Sequence, residues 1–126
     1  MIDIESDKNI CDFRYLYETV GGNTKSVNEI MDIFLSQIPK DLSRIEDAVK
    51  TINYPIIKNI AHSMKSSVSI MGISILKPIL IEMEDLASMK NNITRLRELN
   101  QELNRICDQA IKEIIEEKQN YSYKIK

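Results

Sequence analysis

Apolar residues recur at steps of three and four along NTKSVNEIMDIFLSQIPKDLSRIEDAVKTIN, residues 23–53 of the chain. On an α-helix this spacing draws one apolar stripe, whereas a half-buried strand would need strict alternation. The stripe keeps its phase across Pro39, which removes one backbone hydrogen bond and bends a helix. We therefore predict one long kinked helix whose inward residues are Val27, Ile30, Met31, Phe34, Ile38, Leu42, Ile45, Val49 and Ile52.

Breaks between helices are few, because the chain has only three Gly and three Pro in 126 residues. Gly21 and Gly22 suit the left-handed turn after a short first helix. The other predicted helices cover residues 12–20, 53–72, 74–89 and 93–118. Short loops make successive helices antiparallel neighbours. The fold class is therefore all-α, an up-down-up-down four-helix bundle with a short extra N-terminal helix, in one domain (1–126, core about 12–118).

Charge and targeting signals narrow the function classes. The 17 basic and 19 acidic residues give a net charge of −2 without a block of one sign, which favours neither nucleic acid nor a membrane as partner. The start, MIDIESDKNI, lacks the apolar segment of a signal peptide, so we expect a cytoplasmic protein. Cys11 and Cys107 are too few for a metal or redox motif, and we expect both to be partly buried.

The only histidine, His62, lies in the helical pattern NIAHSMKSSVSIMG (59–72). At about 100° of rotation per residue, one arc of this helix must face the core, and it carries Ile57, Ala61, Met64, Val68 and Met71. His62, Lys65, Ser66 and Ser69 share another arc, centred about 130° away. His62 is therefore expected to point outward, with Lys65 one turn later on the same face.

A histidine on a polar helix face is most often just a solvated residue, and this interpretation stays open. A metal site needs three or four ligands, which one His and two distant Cys do not supply. A nucleophile of the Cys-His or Ser-His-Asp kind needs an orienting group that the sequence does not identify. The residues by themselves do not favour catalysis by this chain alone, and no metal is expected.

The stretch AHSMKSSVSIMG followed by ISILKPILIEMEDLA resembles the signature of histidine-containing phosphotransfer (HPt) domains. That signature has a small residue, His-x-x-Lys, a Gly, then a Leu and a Glu in the next helix, here Ala61, His62, Lys65, Gly72, Leu76 and Glu84. The long helix with a Phe and a Pro and the closing amphipathic helix extend the resemblance over nearly the whole chain. Ser66 departs from the pattern, because many members have Gly directly after the lysine.

The resemblance implies a phosphoryl carrier without autonomous kinase activity. His62 would take a phosphoryl group, on Nε2, from the aspartyl phosphate of a receiver domain and pass it to another receiver. Lys65 would hold the phosphoryl oxygens, and Glu84 is either the acceptor that orients the ring or a solvated residue. No cofactor is expected on this chain, since Mg²⁺ belongs to the receiver. The implied partners are response-regulator receiver domains and a hybrid histidine kinase, and we expect a monomer.

The partner is expected to dock beside His62, on Ser66, Ser69, Ile70 and Gly72. Ile56, Phe13 and Tyr17 are further candidates, although bundle packing would also explain them. Two alternatives remain open from the sequence. The chain could be the phosphoacceptor domain cut from a chemotaxis-type histidine kinase, or a helical interaction module without phosphoryl chemistry.

Overall fold

The computed structural model describes the backbone of residues 9–125 and the side chains of residues 9–120. The described residues form five helices, α1 (Phe13–Thr19), α2 (Thr24–Lys50), α3 (Tyr54–Ile70), α4 (Leu76–Ser88) and α5 (Ile93–Ile125). No strand occurs in the described residues, and the predicted all-α class is confirmed. α2 packs on α3 and α5, and α4 packs on the same two helices, so the four long helices close into a bundle.

Asparagine side chains begin three of the helices. Asn23 Oδ1 accepts the backbone N–H of Ser26 at 3.0 Å at the start of α2, and Asn53 does the same for Ile56 at 3.3 Å in α3. Asn92 accepts from the backbone N–H of Arg95 at 3.1 Å in α5. Each cap satisfies a donor that the first helical turn leaves without an intrahelical partner, which explains why these helices begin where the polar breaks were predicted.

Several helix boundaries differ from the prediction, most of them by one to three residues. α4 begins at Leu76 rather than Ser74. α5 continues to Ile125, beyond the predicted end at Lys118. The residues after Lys118 contain neither Gly nor Pro, so nothing in this part of the sequence terminates the helix.

The predicted apolar faces form the core, with one exception. All five residues expected on the inner face of α3, Ile57, Ala61, Met64, Val68 and Met71, have no exposed surface. Ile52 is 46% exposed instead of buried, because it follows the end of α2 and has φ of +53°, which takes it out of phase with the stripe. The fully buried face of α3 fixes the rotation of this helix and turns its opposite face to solvent.

The two cysteines are more deeply buried than expected. Cys11 is 7% exposed and Cys107 is fully buried. Burial raises the pKa of the Cys11 thiol and raises that of Cys107 to about 12, so both thiols stay protonated at neutral pH. Among the described residues, no helix combines the length and the apolar character needed to cross a membrane.

Candidate functional site

His62 stands on the solvent face of α3, with its side chain 68% exposed. The residue before it, Ala61, is fully buried. Because successive residues on a helix are about 100° apart, the packing of Ala61 and Met64 against the core directs His62 away from it. The imidazole ring is therefore accessible to another macromolecule.

Glu84 of α4 holds one nitrogen of this ring. Its Oε2 lies 2.7 Å from His62 Nδ1, and its side chain is only 17% exposed. Leu80, Met83 and Ala87 bury the inner face of α4, which leaves Glu84 at the edge of that helix facing α3. The sequence left Glu84 as either an acceptor for the ring or a solvated residue. In the structure its carboxylate contacts the ring.

The ionisation state of Glu84 determines which ring nitrogen carries the proton. Hydrogen bonds from Lys65 and then from His62 lower the pKa of Glu84 below its usual value, so the carboxylate is ionised at neutral pH and can only accept. His62 Nδ1 must therefore donate. In the neutral ring the remaining nitrogen, Nε2, carries the lone pair, as assigned from this hydrogen bond.

Lys65 completes the cluster from the next turn of α3. Its Nζ lies 2.6 Å from Glu84 Oε1, and its side chain is 29% exposed. Glu84 thus uses one oxygen for the histidine and the other for the lysine. The resemblance implied that the ammonium would hold phosphoryl oxygens on the ring, and in the structure it is paired with the carboxylate that also contacts the ring.

An open groove runs along α3 beside this cluster and will be called the site groove. Its lining includes Tyr15, Lys65, Ser66, Ser69, Ile70 and Ile81. Ser66 is exposed, and Ser69 and Ile70 are half-buried. Sequence reasoning missed Tyr15 and Ile81, which are 48% and 44% exposed. Neither residue had a specific signal in the sequence, because single exposed apolar residues are normal on protein surfaces.

Other candidates for partner contact occupy different environments. Ile56, Phe13 and Tyr17 are partly buried against the core, and the hydroxyl of Tyr17 donates to Glu117 at 3.0 Å. Gly72 has φ of +70°, and a Cβ built on it would lie 2.7 Å from Cβ of Asp12. Gly72 is therefore covered by the chain's own N-terminal segment, which the sequence gave no means of anticipating.

Comparison with known proteins gives two matches. The family model described as Hpt domain matches residues 29–117. The crystal structure of histidine-containing phosphotransfer protein B (HptB) from Pseudomonas aeruginosa superimposes with a TM-score of 0.82 at 21% sequence identity, covering 90% of this chain and 98% of that chain. At this identity the superposition demonstrates a shared fold. No curated protein sequence matches the chain significantly.

Proposed function

The chain belongs to the family of Hpt domains, and from this membership we propose that it carries phosphoryl groups between receiver domains in a two-component phosphorelay. His62 accepts the phosphoryl group from the aspartyl phosphate of one receiver and returns it to the aspartate of another. The observation that carries the proposal is the state of the His62 ring. Nδ1 is bound to Glu84 at 2.7 Å, so the lone pair is on Nε2 of an exposed side chain.

The transfer step needs no third reactant, because one bond to phosphorus forms as another breaks. The Nε2 lone pair attacks phosphorus, an N–P bond forms, and the bond between phosphorus and the aspartyl oxygen breaks, releasing the receiver's carboxylate. The proton on Nδ1 stays in place, so the phosphorylated ring carries a positive charge. No base has to activate the nucleophile, since an exposed neutral imidazole already has the lone pair it needs.

Glu84 acts as a positioning residue in this proposal. It keeps the proton on Nδ1 before transfer, and its negative charge, 2.7 Å from the same nitrogen, stabilises the cationic ring after transfer. A carboxylate that holds the second nitrogen of a functional histidine fixes the tautomer and the ring orientation. Glu84 therefore stabilises the His62 ring most strongly in the phosphorylated state.

Lys65 neutralises the incoming phosphoryl oxygens. In the resting state its ammonium is paired with Glu84 Oε1, so the phosphoryl group has to compete with that carboxylate for the lysine. Two unit charges about 4 Å apart attract by roughly 4 kcal/mol at an effective dielectric of 20, and by much less where water screens them. Lys65 therefore assists transfer without being indispensable to it.

The receiver supplies the rest of the chemistry. Phosphoryl transfer uses Mg²⁺ and acidic ligands to neutralise developing charge, and we assign both to the receiver. The receiver docks on the site groove of this chain, because a receiver that brings its aspartyl phosphate to His62 must also cover Ser66, Ser69 and Ile70. A hybrid histidine kinase is the expected source of phosphate, and the working form is a monomer.

The test is phosphoryl transfer from a panel of phosphorylated receiver domains, with Mg²⁺, to the wild type and to His62→Gln. Glutamine has no ring nitrogen but keeps a polar side chain at an exposed position, so circular dichroism should be unchanged. Acid-labile phosphate located on His62 by mass spectrometry, and absent in the variant, is the expected result. If no receiver loses phosphate faster with the wild type than with the variant, the chain is not a carrier, and an interaction module without phosphoryl chemistry remains.

A further inference from the structure

Residues 9–12, the N-terminal strap, cross the end of the bundle ahead of α1. The backbone N–H of Ile10 lies 3.0 Å from both carboxylate oxygens of Glu113, and that of Cys11 lies 2.9 Å from Oε1. Glu113 is only 6% exposed, and Gln109 donates to its Oε2 at 3.1 Å. A buried carboxylate requires such donors, so the strap and Glu113 satisfy one another.

The other end of the strap rests on Gly72, directly after α3. The backbone N–H of Asp12 donates to the Gly72 carbonyl at 3.2 Å. A Cβ on Gly72 would approach Asp12 Cβ to 2.7 Å and the Asp12 carbonyl oxygen to 2.8 Å. Since real Cβ atoms do not come so close, the strap fits only over glycine at this position.

Asp12 also joins the strap to α1. Its Oδ1 accepts the backbone N–H of Tyr15 at 3.0 Å and caps the helix. Leu16 anchors the inner side of α1 in the core. Tyr15, about 100° away from Leu16 around α1, lines the site groove together with Lys65 and Ser66. The strap therefore determines where the first turn of α1, and Tyr15 with it, meets that groove.

We propose that Glu113 and Gly72 form a clamp on the N-terminal strap and are positioning residues for receiver docking through Tyr15. The inference rests on the proposed function, because it takes the site groove as the docking surface. The strap and α1 precede residue 29, where the match to the family model begins, so they are available to set partner choice without altering the shared bundle. The clamp is remote from His62, because Ile70, the last residue of α3 before the clamp, is already about 12 Å further along the helix axis.

Two phosphoryl donors separate docking from chemistry. A phosphorylated receiver must dock on the groove, whereas phosphoramidate reaches Nε2 directly. In the second reaction the N–P bond to His62 forms, the P–N bond of the donor breaks, and the amine leaves as ammonia after taking up a proton. Variants that weaken docking alone should lose transfer from the receiver and keep labelling by phosphoramidate.

The clamp variants are Glu113→Gln and Gly72→Ala, each with a matched control. Glu116→Gln makes the same change at an exposed position of α5. Gly22→Ala imposes similar backbone strain, since Gly22 has φ of +75°, but its added Cβ meets no atom within 4 Å. For the clamp variants and for Tyr15→Ala we expect the half-saturating concentration of phosphorylated receiver to rise about five- to tenfold. The controls and all phosphoramidate rates should match the wild type.

The outcomes are distinguishable. Wild-type receiver affinity in both clamp variants would overturn the inference and leave the proposed function intact. Equal losses with both donors would overturn it too, because the change would then have reached His62. A wild type that no receiver labels would remove the proposed function itself. If Gly72→Ala does not fold, Glu113→Gln alone tests the inference. In this variant we expect faster amide hydrogen exchange at Ile10 and Cys11 than in the wild type. Unchanged exchange would contradict the clamp.

Discussion

Glu84 and Glu113 are two carboxylates of one bundle with opposite surroundings. Glu84 lies at the surface cluster and binds the side chains of His62 and Lys65. Glu113 is buried and binds the backbone N–H groups of Ile10 and Cys11 and the neutral side chain of Gln109. The partners of Glu84 are ionisable, and one of them is the proposed phosphoryl acceptor, whereas the amide partners of Glu113 cannot change charge. The first carboxylate is therefore suited to a reaction that changes state, and the second to holding one arrangement.

The largest expected effect is the loss of stability in Glu113→Ala. The substitution leaves the amides of Ile10 and Cys11 without their acceptor in a buried site, and each unsatisfied donor costs about 1–3 kcal/mol. We expect the free energy of unfolding to fall by about 3 kcal/mol and the midpoint of thermal unfolding by about 10 °C. Urea titration and calorimetry measure both quantities.

The control for this prediction is Glu116→Ala. Glu116 is exposed on the same helix, so its removal should change the free energy of unfolding by no more than about 0.5 kcal/mol. Equal losses in the two variants would mean that the loss of a negative charge from α5, and not the contact with the N-terminal strap, accounts for the role of Glu113. The contrast between the two carboxylates would then disappear.

Glu84→Ala should have a smaller effect on stability and a clear effect on the ring of His62. The side chain is at the surface, so we expect a loss below about 1 kcal/mol. Without the acceptor, the ring is free to redistribute its proton between the two nitrogens. Nitrogen-15 NMR should show mainly the Nδ1–H tautomer in the wild type and a mixture in the variant. Glu84→Gln keeps an acceptor oxygen and should restore much of the wild-type tautomer ratio.

An unchanged tautomer ratio in Glu84→Ala would mean that the contact at 2.7 Å does not control the ring. Glu84 would then be a solvated helix residue, the other interpretation that the sequence allowed. The phosphoramidate labelling rate of His62 provides a second readout, because it depends on the fraction of ring with the lone pair on Nε2.

Hydrophobic periodicity predicted the helices and their buried faces, but not the positions at which the helices end. The apolar stripe of α2 and the inner face of α3 fixed the bundle and the outward direction of His62, since burial and helical period leave few alternatives. The predicted burial of Ile52 was wrong because periodicity does not show where a helix ends. Its positive φ takes it out of the stripe.

Contacts between distant segments were predictable only in part. Helical spacing assigned Lys65 to the face of His62, and the resemblance to HPt domains pointed to Glu84 in the next helix. The pairing of the two depends on the rotation of α3 against α4, which a single sequence does not specify. The clamp at Glu113 had no signal at all. Every residue has a backbone N–H, so nothing in the sequence marks Ile10 and Cys11 as donors to a residue about a hundred positions away.

Acidification should remove the contribution of Glu84 to stability. Bonds from Lys65 and His62 lower the pKa of this carboxyl in the folded protein below its ordinary value of 4.5. A lowered folded pKa stabilises the protein above the unfolded value, and that contribution is lost as the pH falls through the folded pKa. The difference between wild type and Glu84→Gln, about 0.5 kcal/mol, should therefore vanish well below pH 4.5, where both side chains are neutral. A difference that persists there would contradict an electrostatic origin.

The smallest effect is the coupling between Lys65 and Glu84, measured by a double-mutant cycle with Lys65→Met and Glu84→Gln. A partly buried pair at the protein surface should couple by about 0.3–0.5 kcal/mol at low salt and by less at high salt, because ions screen it. This coupling is the free energy that incoming phosphoryl oxygens must overcome to recruit the lysine. A value near zero would mean that Lys65 is already available to the phosphoryl group. A value above about 1 kcal/mol would make the pair as fixed as the contacts of Glu113, and the lysine would then act through Glu84 rather than on the phosphoryl group.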